Sequence, residues 1–118
     1  MREIKYKQFI IVPKKPKMSK GKIASQVTHA SFMALETQKN KKLKEISKKN
    51  GMCVIVLKCK NAIELFGITE YLKKWKIPHH LYMDEGLTEV NMGTPTALST
   101  GIMTEKQFWI FETMRLFK

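Results

Sequence analysis

Short apolar runs alternate along this chain with longer segments whose apolar residues recur at helical spacing. "KQFIIVP", Lys7 to Pro13, is apolar and β-branched and stops at proline. It predicts a buried strand followed by a loop, "PKKPKM". Ile23, Val27, Ala30 and Ala34 then recur at i, i+4, i+7 and i+11, one apolar stripe of a helix that Ser19 can cap. The small residues Ala24, Ser25, Ala30 and Ser31 would let that helix lie close to a sheet. A lysine run, "QKNKKLKEISKKN", continues as a solvated helix or an ordered loop as far as Gly51. "CVIVLK", Cys53 to Lys58, is almost continuously apolar, as expected of a strand covered on both faces. Asn61 and Glu64 have capping-box spacing before an amphipathic helix, "NAIELFGITEYLKKWK", which offers Ile63, Phe66, Leu72 and Trp75 to a core. "HHLYMD" is a third strand, the loop "EGLTEVNMGT" follows it, and "PTALSTGI" is a fourth. Thr104 and Gln107 open a final helix, "TEKQFWIFETMRLFK". The order β-α-β-α-β-β-α predicts an α/β fold: a three-layer α/β/α sandwich on a small mixed, mostly parallel four-stranded sheet. Residues 1–118 are expected to form a single domain.

Composition adds one unusual property. The 118 residues are enough to bury a core without staples, but Lys and Arg number 22 against 10 Asp and Glu, a formal net charge of +12. The excess is lopsided. Residues 1–60 hold 16 basic and 3 acidic side chains, residues 61–118 hold 6 and 7. Such a concentration suggests a polyanionic partner, nucleic acid ahead of an anionic membrane, although lysine-rich surfaces also serve solubility. Cys53 and Cys59 would stand about 20 Å apart along one strand, far beyond the ~7 Å reach of a disulfide, and no cysteine or histidine has zinc spacing. These features predict a reduced, cytoplasmic protein that binds no metal. "FIIV" is too short for a signal-peptide core, and no run approaches the ~20 apolar residues of a membrane span.

The start of the first helix breaks two rules. Cations are disfavoured where the unpaired amides of a helix N-terminus gather positive charge, and glycine is a poor helix former; yet Lys20, Gly21 and Lys22 all sit there. Lys22, Gln26 and His29 follow at i, i+4 and i+7 along one side of the helix, spaced to face a common ligand or to form a solvated stripe. An anion or carboxylate opposite Lys22 would explain the charge, and Gly21 would leave room for a ligand near the helix amides. Ligands of open α/β sheets gather at the carboxyl ends of strands. Asp84 ends the third strand, and the loop after it carries Thr88, Thr94 and Thr96 with Gly86 and Gly93 as turn points. Lys22 and Asp84 would meet at one sheet edge if their strands are parallel neighbours. Asp84 can equally be an ordinary turn residue, and His29 a structural histidine. His79 and His80 point to opposite sides of a strand, against a shared metal. Trp75, Phe108, Trp109 and Phe111 fit a core better than a base-stacking platform. No P-loop, GxSxG elbow or HExxH is present.

Two stretches, "MSKGKIASQVTHASFMA" and "DEGLTEVNMGTPTALSTGI", resemble the signatures of the type-2 peptidyl-tRNA hydrolases. Met18, Lys20, Gly21, Lys22, Ile23, Ala24, Gln26, His29 and Ala30 match the first; Asp84, Gly86, Thr88, Gly93, Thr94 and Thr96 match the second. Ser19, Ser25, Glu85, Glu89 and Met92 depart from them. The resemblance implies hydrolysis of the ester between a peptide, or an N-blocked amino acid, and tRNA, without metal or cofactor and with no membrane partner. It carries the family's catalytic set onto Lys22, Asp84, Thr88 and Thr96, with Gln26 and His29 as supports, and assigns Lys14, Lys15, Lys17 and Lys20 to tRNA phosphates. Ester hydrolysis needs an oriented water and a stabilised oxyanion, roles that Asp84 and Lys22 can fill. A non-catalytic RNA-binding adaptor of the same fold and a small phosphate-ligand sensor are the other readings. The sequence is compatible with a homodimer.

Overall fold

A computed structural model describes residues 4–85 and 93–118. Four strands, β1 (Tyr6–Pro13), β2 (Val54–Cys59), β3 (His79–Met83) and β4 (Pro95–Thr104), form one sheet in the order β2-β1-β4-β3. Three α-helices, α1 (Lys20–Thr37), α2 (Lys41–Lys49) and α3 (Ala62–Lys74), precede a 3₁₀ helix over Glu105–Phe111. The expected α/β class holds, with two corrections. Only the β1–β2 ladder is parallel, whereas β4 runs antiparallel to both β1 and β3, so the sheet is not mostly parallel by pairing. The segment from Asp84 to Thr94 is too short for the crossover of a dozen or more residues that a parallel return requires, and β4 therefore folds back between β3 and β1. The last segment forms a 3₁₀ helix of seven residues rather than a long α-helix, with the Thr104 amide donating to Gln107 Oε1 as its spacing suggested.

β1 alternates its side chains between two apolar layers. Phe9 and Ile11 join Leu57, Leu65, Leu72, Leu98, Met103 and Phe111 beneath α3 and the 3₁₀ helix. Ile10 and Val12 face Ala30, Met18 and Ala97, with Ile23 and Val27 of α1 packed alongside. Burial of α3 departs from the expected stripe: Leu65, Thr69 and Leu72 point inward, while Ile63, Phe66 and Trp75 are exposed. Trp75 instead packs edge-on against exposed Trp109, ring centroids 5.4 Å apart. Edge position explains why β2 is less covered than its apolar sequence suggests, with Val54 exposed. Among the described residues no helix is long and apolar enough to cross a membrane. Cys53 and Cys59 are free thiols, and burial pushes the Cys59 thiol up to about 11.

The α1 side of the sheet is held by directional bonds as much as by apolar contact. Gln8 Nε2 donates to Ser99 Oγ and to the carbonyls of Ser31 and Thr100, and Ser31 Oγ donates back to Gln8 Oε1. A bulge interrupts the β1–β4 ladder between Gln8 and Ile10; there the Phe9 amide donates to Thr100 Oγ1. Gln38, the residue that ends α1, is buried and grips β4 from both sides. Its Nε2 donates to the Ile102 carbonyl at 3.1 Å, and the Ile102 amide donates to its Oε1 at 2.9 Å. Gly101 lies directly beneath: a Cβ there would stand 2.7 Å from Gln38 Oε1 and 2.8 Å from its Cδ. Gly101→Ala must displace Gln38 and break both bonds. The expected loss is about 1–3 kcal/mol of stability in urea unfolding, shrinking when Gln38→Ala is already present.

Candidate active site

Ser19 starts α1 by accepting the Lys22 amide on its Oγ at 3.2 Å, which satisfies one of the helix's orphan donors. Its first turn holds no acidic residue. The acid comes from elsewhere in the chain. Lys22 Nζ lies 2.5 Å from Asp84 Oδ1, both side chains being almost fully buried. β1 and β3 run in the same direction, as each is antiparallel to β4, but they are not neighbours. The expected condition for the meeting thus holds only in part. Contact arises because α1 crosses the sheet face over β4 onto β3 and places its first turn beside the end of that strand.

Behind the pair, Gln26 is buried and accepts a hydrogen bond from Thr96 Oγ1. Thr96 is fully buried in β4 and is not among the described residues of the cavity wall; among the described residues it meets the site through Gln26. A cavity of about 700 Å³ opens beside Lys22 and Asp84, bounded by Gln26, His29 and Tyr82. His29 lies flat against Tyr82, ring centroids 4.9 Å apart and planes 10° apart. His80 lines the same cavity; burial, followed by the neighbouring His79, holds its imidazole below the ordinary histidine range. Lys22, Gln26 and His29 therefore share one space with Asp84, while Thr88, along with Gly86, Glu89 and Met92, lies outside the described residues. Among the described residues nothing lies within 4 Å of where a Cβ on Gly21 would stand. Ser25 turns toward the cavity and not toward the sheet.

Lys14, Lys15, Lys17 and Lys20 are all exposed. The first three ring a second cavity, about 620 Å³, with Lys60 and Lys118 around a floor that includes Met18 and Phe117. Lys20 is not on its wall. Among the described residues no group of three or more histidine, cysteine or acidic side chains could hold a metal ion. Tyr82 was missed in the sequence although it lies two residues before Asp84. Alternation along β3 puts His80, Tyr82 and Asp84 on one face, a signal that was there to be read.

The family model described as Peptidyl-tRNA hydrolase PTH2 matches residues 6–116. The chain belongs to that family. It is 40% identical over 103 residues to a peptidyl-tRNA hydrolase of Methanopyrus kandleri, covering 86% of this chain and 89% of that one. A peptidyl-tRNA hydrolase of Thermococcus onnurineus is 40% identical over 106 residues, 86% of this chain and 88% of the relative. A third, from Staphylothermus marinus, is 38% identical over 103 residues, 86% and 85% of the two chains. The PTH2 match spans every strand and helix described above, including both halves of the ion pair.

A buried ion pair is costly to break because the surviving charge loses its partner without regaining water. In this PTH2 chain Lys22→Met or Asp84→Leu alone should cost about 3 kcal/mol in urea unfolding. The double change Lys22→Met/Asp84→Leu should recover most of that loss. Strict additivity of the two single effects would show that the groups do not act as a pair.

Proposed function

We propose that this protein hydrolyses the ester joining a peptide to the terminal ribose of tRNA, releasing free peptide and free tRNA in the cytoplasm. The observation that carries the reading is the buried Lys22–Asp84 pair opening into a cavity. Ester hydrolysis creates negative charge on the carbonyl oxygen, and the ammonium of Lys22 with the first-turn amides of α1 supplies positive potential where that charge develops. The Asp84 carboxylate orients a water and accepts its proton as the water oxygen attacks the carbonyl carbon. Collapse of the tetrahedral intermediate breaks the bond to the ribose oxygen, which takes up the proton and leaves as a hydroxyl. Thr88 is assigned the water or the ribose by the family signature alone. Gln26 and Thr96 act by positioning: Thr96 fixes the amide of Gln26, which in turn borders Lys22. His29, stacked on Tyr82, forms the wall beyond them.

The lysines at the start of α1 are read as the tRNA side. Lys14, Lys15 and Lys17 stand around one cavity with Lys60 and Lys118, and Lys20 opens the helix itself. No acid faces that cavity among its described lining residues.

Incubating the protein with N-acetyl-aminoacyl-tRNA should release the amino acid. Lys22→Ala and Asp84→Ala should each slow the release by roughly 10²–10³, with circular dichroism confirming that the variants fold. Release that is unaffected by either change would refute the assignment, and tRNA binding without release would identify an adaptor. Binding to tRNA should also weaken steeply with salt, since phosphate contacts release counterions. Replacing Lys14, Lys15, Lys17 and Lys20 together by Gln should reduce the slope of log K against log salt by about 3.

A further inference from the structure

The start and the middle of α1 differ in chemistry. At the N-terminal end lie the exposed lysines; along the helix toward its C-terminus, the first cavity runs past His29 to Phe32 and Met33. Phe32 is 61% exposed and Met33 38% exposed, large apolar side chains that the fold's own core leaves uncovered. The opposite wall is the face of β3 that carries Asp84, Tyr82 and His80 in succession. Lys22 is the only lysine or arginine among the described residues of this cavity. A polyanion therefore finds little there, whereas an uncharged chain finds an apolar stripe continuous with the ion pair.

We propose that this groove holds the peptide of the peptidyl-tRNA substrate and that Phe32, with Met33, selects an apolar residue about four positions from the scissile ester. The inference rests on the hydrolase reading above. From Lys22 to Phe32 the helix rises about 15 Å at ~1.5 Å per residue. An extended peptide covers ~3.3–3.6 Å per residue, so roughly four residues reach Phe32 from an ester placed at the ion pair. The lysine-ringed cavity beside the start of α1 sets the polarity, with tRNA toward the N-terminus of α1 and peptide toward its middle. A single N-blocked amino acid is too short to touch Phe32.

The test uses tRNA esterified with N-acetyl-Leu-Gly-Gly-Gly or N-acetyl-Gly-Gly-Gly-Gly, whose fourth residue from the ester is leucine or glycine, and compares kcat/KM. The wild-type protein should favour the leucine substrate by about tenfold, the value of burying one such side chain. In Phe32→Ala the ratio should fall close to one, with Met33→Ala intermediate. Trp109→Ala, which removes a comparably exposed aromatic from the opposite face of the sheet, should keep the wild-type ratio. A wild-type ratio near one overturns the proposal, as does a tenfold ratio retained in Phe32→Ala. Failure to hydrolyse either substrate, or N-acetyl-glycyl-tRNA as a third, overturns the hydrolase reading itself.

Discussion

A lysine ammonium and an aspartate carboxylate, both almost out of water and 2.5 Å apart, set the terms for the rest of this structure. Burying either alone would cost several kcal/mol in lost hydration. Lys22 bears a further penalty because it stands in the first turn of a helix, and Asp84 offsets both. The pair also ties the start of α1 to the end of β3, elements separated in the sheet by β4. A rigid staple between non-adjacent elements is useful only if the helix cannot slide. Hydrogen bonds supply that restraint: Gln26 to Thr96, Ser31 to Gln8, and Gln38 to Ile102 fix α1 at three levels along its length.

The two faces of the sheet divide the work. Beneath α3 and the 3₁₀ helix the layer is aliphatic and aromatic, and packing dominates. On the α1 side small residues, Ala30 and Ala34, let the helix sit close, and buried glutamines meet hydroxyls of β4. Dispersion and area burial are non-directional; hydrogen bonds impose position as well as energy. A site whose reacting groups must be held within fractions of an ångström gains more from the second kind of contact. That distribution accounts for a strand, β4, that is buried along nearly its whole length yet carries Thr96, Ser99 and Thr100.

Much of this could be read in the chain. The rule-breaking lysine at position 22 pointed to an anion or a carboxylate opposite, and the strand-end position of Asp84 made it a candidate. Cap residues Ser19 and Asn61 behave as their spacing indicates. Other features were hidden. The inward face of α3 includes Thr69 and leaves Phe66 outside, an arrangement that hydrophobicity alone misassigns. The place of β4 between β1 and β3 followed from the short connection after Asp84 and was overlooked because a β-α-β beginning biases expectation toward parallel pairing. Gly101 and Gln38 form a contact between residues far apart in sequence, and no local pattern announces such a pair. Thr96 looked like a loop hydroxyl; its position inside a buried strand moves its influence behind Gln26.

Helix α1 also separates two chemistries that one substrate would need to combine. A peptidyl-tRNA is a polyanion at one end and an ordinary peptide at the other, joined at a single ester. Electrostatic attraction acts over about a Debye length, ~8–10 Å at ordinary salt, so the lysines ahead of α1, a helix of 18 residues, exert little pull at its middle. Spreading the same charge along α1 would draw phosphates into the groove beside Phe32. Of the 16 basic residues in the first 60, eight lie at positions 2–22 and eight at positions 39–60, so α1 is flanked by charge that its own middle does not carry. Within α1 itself no lysine or arginine follows Lys22, which leaves the middle of the helix free for apolar contact; on the proposed reading the ester lies at the boundary between the two, where Lys22 and Asp84 stand.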